Sequence, residues 1–317
     1  MAEPGKAASS AAMTSRLDLA RSVADGQEGL LTSAQCRQLG ITPAEVARLV
    51  RGREWRGIFR GVYLTRPEVI SERQRVRAGV LACGEPAVAV LTSAARLHGW
   101  PVLPDDPTVQ VSLPARRRRL DQPGLAARQL VLADDDVMRL DGIAVTTPAR
   151  TAADLLPRLP RTDAVAMLDA VLGAGLLTDE HLDAARALVY GNRGAVRARA
   201  AMDEADGRAQ SPLETRIRLI CRDGGVAPEE LQFPVHDDVG SLLAVADFGW
   251  PSRNVLGEAD GRAPHSTPHA LLHDRRRQNA LLALGFIVVR FTWADTRRPA
   301  YIVQTVQRAL AAGARSR

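Results

Sequence analysis

Thr42-Pro-Ala-Glu-Val-Ala-Arg-Leu-Val-Arg51, followed by Trp55-Arg-Gly-Ile-Phe-Arg-Gly-Val-Tyr63, decides the reading of the first part of the chain. Thr42 with Glu45 three residues on has the form of a capping box, and Pro43 takes the first helical position, where its missing N–H costs nothing. The helix this starts has Val46, Leu49 and Val50 on one face and Arg48 and Arg51 on the other. The aromatic and β-branched run behind it, with Gly57 and Gly61 available for a turn, predicts a β-hairpin. Upstream, Leu17, Leu19, Ala20 and Val23 suggest an opening helix. Thr32-Ser-Ala-Gln35 is a second capping box, starting a short helix that stops at Gly40. Helix, short helix, helix and hairpin is the order of a winged helix-turn-helix over residues 14–66.

Outward from that segment, residues 1–13 lack the apolar core of a signal peptide and read as a disordered tail, with Met13 a second possible start. Residues 67–205 form a middle part of mixed α and β character. Ser71-Glu-Arg-Gln74 opens a helix to about Cys83, and Val109-Gln-Val-Ser-Leu113 alternates like a strand. Asp141-Gly142 marks a hairpin, Thr147-Pro148 opens a helix, and 161–203 is helical. Residues 206–317 read as αβββαβ with a trailing helix. Ser211-Pro-Leu-Glu214 opens the first helix, strands lie near 231–236, 242–248 and 253–259, and a helix covers about 268–284. Phe286–Phe291 is the last strand. The expected class is α+β with several domains, as suits 317 residues that are 46% apolar.

Composition removes some chemistries. Of 42 basic side chains only Lys6 is lysine, so Schiff-base and lysine-base mechanisms are excluded from the folded body. The net charge of +6 and a pI near 10.0 permit nucleic-acid binding. Cys36, Cys83 and Cys221 are scattered without CxxC spacing, which argues against a zinc site or disulfides and suits the cytoplasm. No apolar run is long enough to span a membrane, so no membrane partner is expected.

In the first part, Arg48 and Arg51 on the helix and Arg53, Arg56 and Arg60 in or beside the hairpin cluster cations on the surface that a winged helix presents to duplex DNA. The alternative is a surface used for protein contacts.

In the last part, Asp247 and Glu258 stand near the ends of successive strands. Glu258 and Asp260 are two apart and so share a face of the strand. Carboxylates on one edge repel unless a cation neutralises them, and hard oxygen ligands suit Mg²⁺ or Mn²⁺, which can activate water against a phosphodiester. Solvated strand-end carboxylates are the other reading. Glu214 either completes the Ser211 capping box or joins the metal site. Gln278 and the arginines of 275–277 are candidates for phosphate contact, as is the basic run 116–119. His265, His269 and His273 lack the further ligands of a zinc site, and one of them is a candidate acid or base.

Two family resemblances sit on these residues. Gly29-Leu-Leu-Thr32, Gly40-Ile-Thr42, Trp55 and Gly61-Val-Tyr63 resemble the N-terminal winged helix of AbiEi-family antitoxins. Val145-Thr-Thr-Pro-Ala-Arg-Thr-Ala-Ala-Asp154 is similar to the segment that follows it in that family. This resemblance implies a bacterial toxin–antitoxin regulator with DNA and a cognate toxin as partners. Ser211–Glu214, Ala246–Trp250, Gly257–Gly261, Asp274–Asn279 and Arg290–Trp293 resemble a domain family related to very-short-patch-repair endonucleases, within the PD-(D/E)XK superfamily. This implies a restriction-endonuclease-like fold with catalytic Asp247, Glu258, Asp260, Glu214 and Gln278, and Asp247 and Glu258 holding Mg²⁺ or Mn²⁺. The chain departs from the Glu-x-Lys pattern: Asp260 stands where the lysine is usual. Active metal-dependent cleavage and a nuclease fold that has lost it are both left open by the sequence.

Overall fold

The computed structural model describes residues 4–66, 69–101, 105–115, 121–261 and 268–314. Contacts divide the chain into two compact units, one of residues 1–99 and 103–155, the other of 100–102 and 156–317. The segment 67–205, expected as one middle part, contributes to both.

The first unit opens with α1 (Pro4–Asp25), β1 (Leu30–Thr32), α2 (Ser33–Gln38), α3 (Pro43–Arg51), β2 (Arg56–Phe59) and β3 (Val62–Leu64). Helix α1 takes in most of the stretch expected as a tail; the alanines at 7, 8, 11 and 12 favour helix over coil. The three strands form an antiparallel sheet in the order β1-β3-β2. Ala20 and Ala24 of α1 pack with Leu31, Cys36, Ile41, Val46, Leu49 and Trp55 in a small core. Both capping boxes form, with Thr32 and Thr42 as N-caps.

The unit continues with α4 (Glu72–Cys83), β4 (Val88–Ala89), α5 (Leu91–Leu97), β5 (Val109–Ser112), β6 (Leu125–Arg128), β7 (Val137–Leu140), β8 (Ile143–Thr146) and α6 (Pro148–Leu155). A five-stranded mixed sheet has the order β6-β5-β4-β8-β7. The β7–β8 hairpin turns at Asp141 and Gly142, both at positive φ (46° and 80°), the geometry for which Asp-Gly is favoured. Helix α4 bonds the two sheets together. Leu30, Phe59, Val62 and Leu64 share one core with Val76, Val109, Leu125 and Val145. Glu28 accepts from Arg73 at 2.8 Å and Arg77 at 3.2 Å, and Gln74 donates to the Glu28 carbonyl. The turn between β2 and β3 is braced too: the Arg60 backbone N–H donates to Gln122 at 2.7 Å.

The second unit begins with a short 3-10 turn at 156–158 and the helices α7 (Arg161–Gly173), α8 (Asp179–Val189) and α9 (Ala195–Glu204). It ends with α10 (Pro212–Asp223), β9 (Glu230–His236), β10 (Leu242–Trp250), β11 (Val255–Asp260), α11 (Pro268–Ala283), β12 (Ile287–Thr292) and α12 (Pro299–Gly313). The sheet order is β12-β11-β10-β9, with β9, β10 and β11 antiparallel and β12 parallel to β11. Leu213, Ile217 and Cys221 of α10 and Ile302 and Val306 of α12 pack with Phe248, Trp250, Val255 and Phe291. Val235, Ala244, Ala246 and Leu256 pack with Leu281 of α11 in a second core.

A buried polar cluster joins α7 to α10. The Asp169 carboxylate, 1% exposed, accepts from the Asp206 N–H at 2.7 Å, the Thr215 hydroxyl at 2.6 Å and Arg218 at 2.7 Å. Arg218 also donates to the Glu204 carbonyl at the end of α9. Burial raises the Asp169 pKa, offset by Thr215 and Arg218.

Candidate functional site

Helix α3 is fixed at its start by reciprocal bonds. The Glu45 N–H donates to the Thr42 hydroxyl at 3.3 Å, and the Thr42 N–H donates to the Glu45 carboxylate at 2.7 Å. These bonds from Thr42 hold the Glu45 carboxyl below its ordinary pKa, with Arg16 adding to them. Val46 and Leu49 are buried. That burial turns Arg48 and Arg51 to the surface, as the spacing predicted, and Arg53, Arg56 and Arg60 are exposed as well. Gly61, at φ 78°, makes the turn that sets Arg60 at the hairpin tip. None of the five is ion-paired to another described residue. By contrast, Arg73, Arg77, Arg150, Arg161 and Arg218 elsewhere are all bound to carboxylates.

The second cluster lies on α10, β10 and β11. Phe248 pairs with Gly257 across the antiparallel ladder, so Asp247, one residue back, falls opposite Glu258. The Ala259 N–H donates to Asp247 at 2.7 Å. The strands thus bring Asp247 and Glu258 together, as expected. Asp260 lies at the exposed end of β11. Glu214 adjoins the pair through Gln232, whose amide donates to Glu214 at 3.0 Å and also bonds Asp247. Ser211 caps the Glu214 N–H at 3.2 Å, but the Glu214 carboxylate turns to the Gln210 N–H at 2.8 Å rather than closing the box.

Burial raises the pKa of Glu214, Asp247 and Glu258. For Asp247 the bonds from Ala259 and Gln232 work against it, and for Glu258 the opposing charges are Arg277 and Arg290. Glu258 is 6% exposed, and each of its oxygens faces a guanidinium: Arg277 at 3.0 Å and Arg290 at 2.9 Å. Arg290 comes from β12 at the position in register with Glu258, and Arg277 from α11.

The donor set for the expected Mg²⁺ or Mn²⁺ is the pair Asp247 and Glu258, and the fold sets two guanidiniums on Glu258. Among the described residues no three His, Cys, Asp or Glu side chains stand where they could share a metal ion. The Glu258 carboxylate is neutralised from within the protein, by guanidiniums that a cation would have to displace. Gln278, expected at the phosphate, is half-buried on α11, and it is its neighbour Arg277 that reaches the carboxylates. Residues 116–119 and His265 lie outside the described residues, as do the side chains of His269, His273 and Arg275. Sequence reasoning missed Gln232 and Arg290. Gln232 carried no motif, and its positive φ of 51° has no sequence signature. Arg290 stands in the Arg290–Trp293 stretch of the family resemblance, which gives it no role at the carboxylates.

Residues 145–154 do structural work. The Thr146 and Thr151 hydroxyls meet at 2.8 Å, and Arg150 binds Asp154 at 3.0 Å and Asp136, locking β8 to α6.

Residues 87–204, from β4 to α9, match the model of the AbiEi antitoxin C-terminal domain. Two curated relatives are the uncharacterized proteins MT2308 and Rv2248 of Mycobacterium tuberculosis, strains CDC 1551 and H37Rv. Each is 34% identical over 244 residues, covering 76% of this chain and 86% of theirs. The crystal structure of the RV2827C protein from Mycobacterium tuberculosis is similar over 59% of this chain and 81% of that one, at 18% identity and a TM-score of 0.36. No helix among the described residues is long and apolar enough to cross a membrane.

Proposed function

The chain belongs to the family of the uncharacterized proteins MT2308 and Rv2248 and carries an AbiEi antitoxin C-terminal domain at 87–204, and from that premise we propose that it is a DNA-binding regulator of the toxin–antitoxin type that does not cut DNA. The observation that carries the reading is the set of five exposed arginines on α3, the β2–β3 hairpin and the link between them, without carboxylate partners among the described residues. The order α1-β1-α2-α3-β2-β3 with a β1-β3-β2 sheet supports a winged helix, in which α3 enters the major groove and the hairpin follows the backbone. Arg48 and Arg51 then meet base edges or phosphates, and Arg53, Arg56 and Arg60 phosphates. The shared core with the five-stranded sheet fixes the hairpin, so the backbone that carries Arg56 and Arg60 is in place before DNA arrives.

In the terminal part, the antiparallel β9-β10-β11 run with β12 parallel to β11 supports a restriction-endonuclease-like fold. We read its carboxylate cluster as closed by arginine. Arg277 and Arg290 balance Glu258 permanently, and Asp260 stands where a lysine would orient the attacking water. Neither arginine is suited to act as a general base at neutral pH. The cognate toxin is the expected protein partner. Fluorescence anisotropy of the full chain on duplex DNA from its own promoter tests the reading. Saturable binding that Arg48→Ala with Arg51→Ala weakens supports it, and binding of equal strength in the variant refutes it.

A further inference from the structure

Strands β11 and β12 run parallel and end side by side, Asp260 in register with Thr292. A crevice lies beside these carboxyl ends. Here the crevice is a cavity of about 550 Å³, within the range of small-molecule sites, lined by Asp260, Thr292, Trp293, Arg216 and Arg297 among others. Trp293 is 43% exposed, whereas Trp55, Trp100 and Trp250 are 5% exposed or less. The Arg216 guanidinium lies 5.8 Å from the Trp293 ring centroid, so the ring is braced on one side by a cation. Arg297 and Asp260 are both exposed. The Glu258 cluster uses none of Trp293, Arg216 or Arg297.

An open aromatic face, two cations and a carboxylate match the base and the phosphates of a nucleotide unit. The ring stacks on a base, the guanidiniums take phosphates, and the carboxylate accepts from a base edge. A carboxylate favours guanine, whose Watson–Crick edge offers two adjacent N–H donors, over cytosine and adenine, which each offer one amino group. We propose that this crevice holds one unstacked guanine of a single nucleic-acid strand, stacked on Trp293, bonded by Asp260 and with its phosphates between Arg216 and Arg297. The site is separate in its residues from the duplex-reading arginines, so it stands or falls independently of them.

The test uses the full chain and thymidine trinucleotides with guanine, adenine or cytosine at the centre. The readouts are tryptophan emission, in which Trp293 is the exposed reporter, and the anisotropy of a labelled trinucleotide. Saturable quenching is expected, strongest with guanine. Trp293→Ala should weaken anisotropy binding about tenfold or more, the size of one base–aromatic stack, while Trp293→Phe keeps most of it. Asp260→Asn should bring guanine down to the level of adenine. Arg48→Ala with Arg51→Ala should leave trinucleotide binding unchanged. Unaltered affinity in Trp293→Ala, equal binding of the three trinucleotides, or free guanosine monophosphate binding as tightly as the strand would each overturn the proposal.

Discussion

Replacing Arg48 and Arg51 together by alanine removes two of the five exposed cations on α3 and its hairpin and leaves the buried face of the helix, Val46 and Leu49, untouched. If all five arginines neutralise phosphates, the logarithm of the binding constant falls with the logarithm of salt concentration at a slope of about −4.5, at about −0.9 per contact. Without Arg48 and Arg51 the slope is about −2.7 on the same basis. A fourfold rise in salt then weakens the wild type about 500-fold and the variant about 40-fold. Anisotropy of a labelled promoter duplex across a salt series measures both slopes. Helix stability is controlled by far-ultraviolet circular dichroism, since alanine is at least as good a helix former as arginine. Equal slopes would refute phosphate contacts by these two arginines, and equal slopes with equal affinity would refute their placement on the DNA altogether.

Three further outcomes follow from the geometry. Thr42→Ala should cost about 1 kcal/mol, the usual loss for an N-cap, seen by urea unfolding; an unchanged transition would mean the cap seen at Glu45 contributes nothing. Asp169→Ala leaves Arg218 buried without its carboxylate and should cost about 3–5 kcal/mol, measured the same way; a loss under about 1 kcal/mol would contradict the cluster's role in joining α7 to α10. The raised pKa of Asp247 means that the folded state holds this proton more tightly than the unfolded chain. Its stabilising effect is therefore complete below the ordinary carboxylate pKa of about 4 and is lost as pH rises through the raised value. Asp247→Asn should accordingly gain in melting temperature over the wild type as pH is raised from about 4 to about 7. A difference that stays flat, or that moves against the variant as pH rises, would show that burial does not govern this group.

Local signals made much of this structure legible in the sequence. The capping boxes at Thr32 and Thr42 fix where α2 and α3 begin, because the same side chains that define the pattern make the bonds. Asp141-Gly142 turns where it should, since both residues tolerate positive φ. Alternation and helix-stop signals placed the terminal strands and Gly285, and the opposition of Asp247 and Glu258 follows from two strands and a short turn. What stayed hidden depends on distant partners. Arg290 meets Glu258 only because β12 inserts parallel beside β11, and Arg277 only because α11 crosses back over them. One member of a carboxylate pair that looks like a cation site in one dimension, Glu258, is therefore ion-paired by two arginines in three. The division after residue 155 was hidden for a similar reason: α4 packs back on the first sheet, while Asp169 and Arg218 tie α7 to α10.

The central claim is that this protein holds DNA without cutting it. The most direct measurement incubates the full chain with supercoiled plasmid carrying its own promoter, in Mg²⁺ and separately in Mn²⁺, and resolves bound, nicked and linear DNA from one reaction. A protein that binds without cutting retards the plasmid and leaves it fully supercoiled once the protein is removed. Nicked or linear product that depends on Mg²⁺ or Mn²⁺ and disappears in Asp247→Ala would contradict that claim.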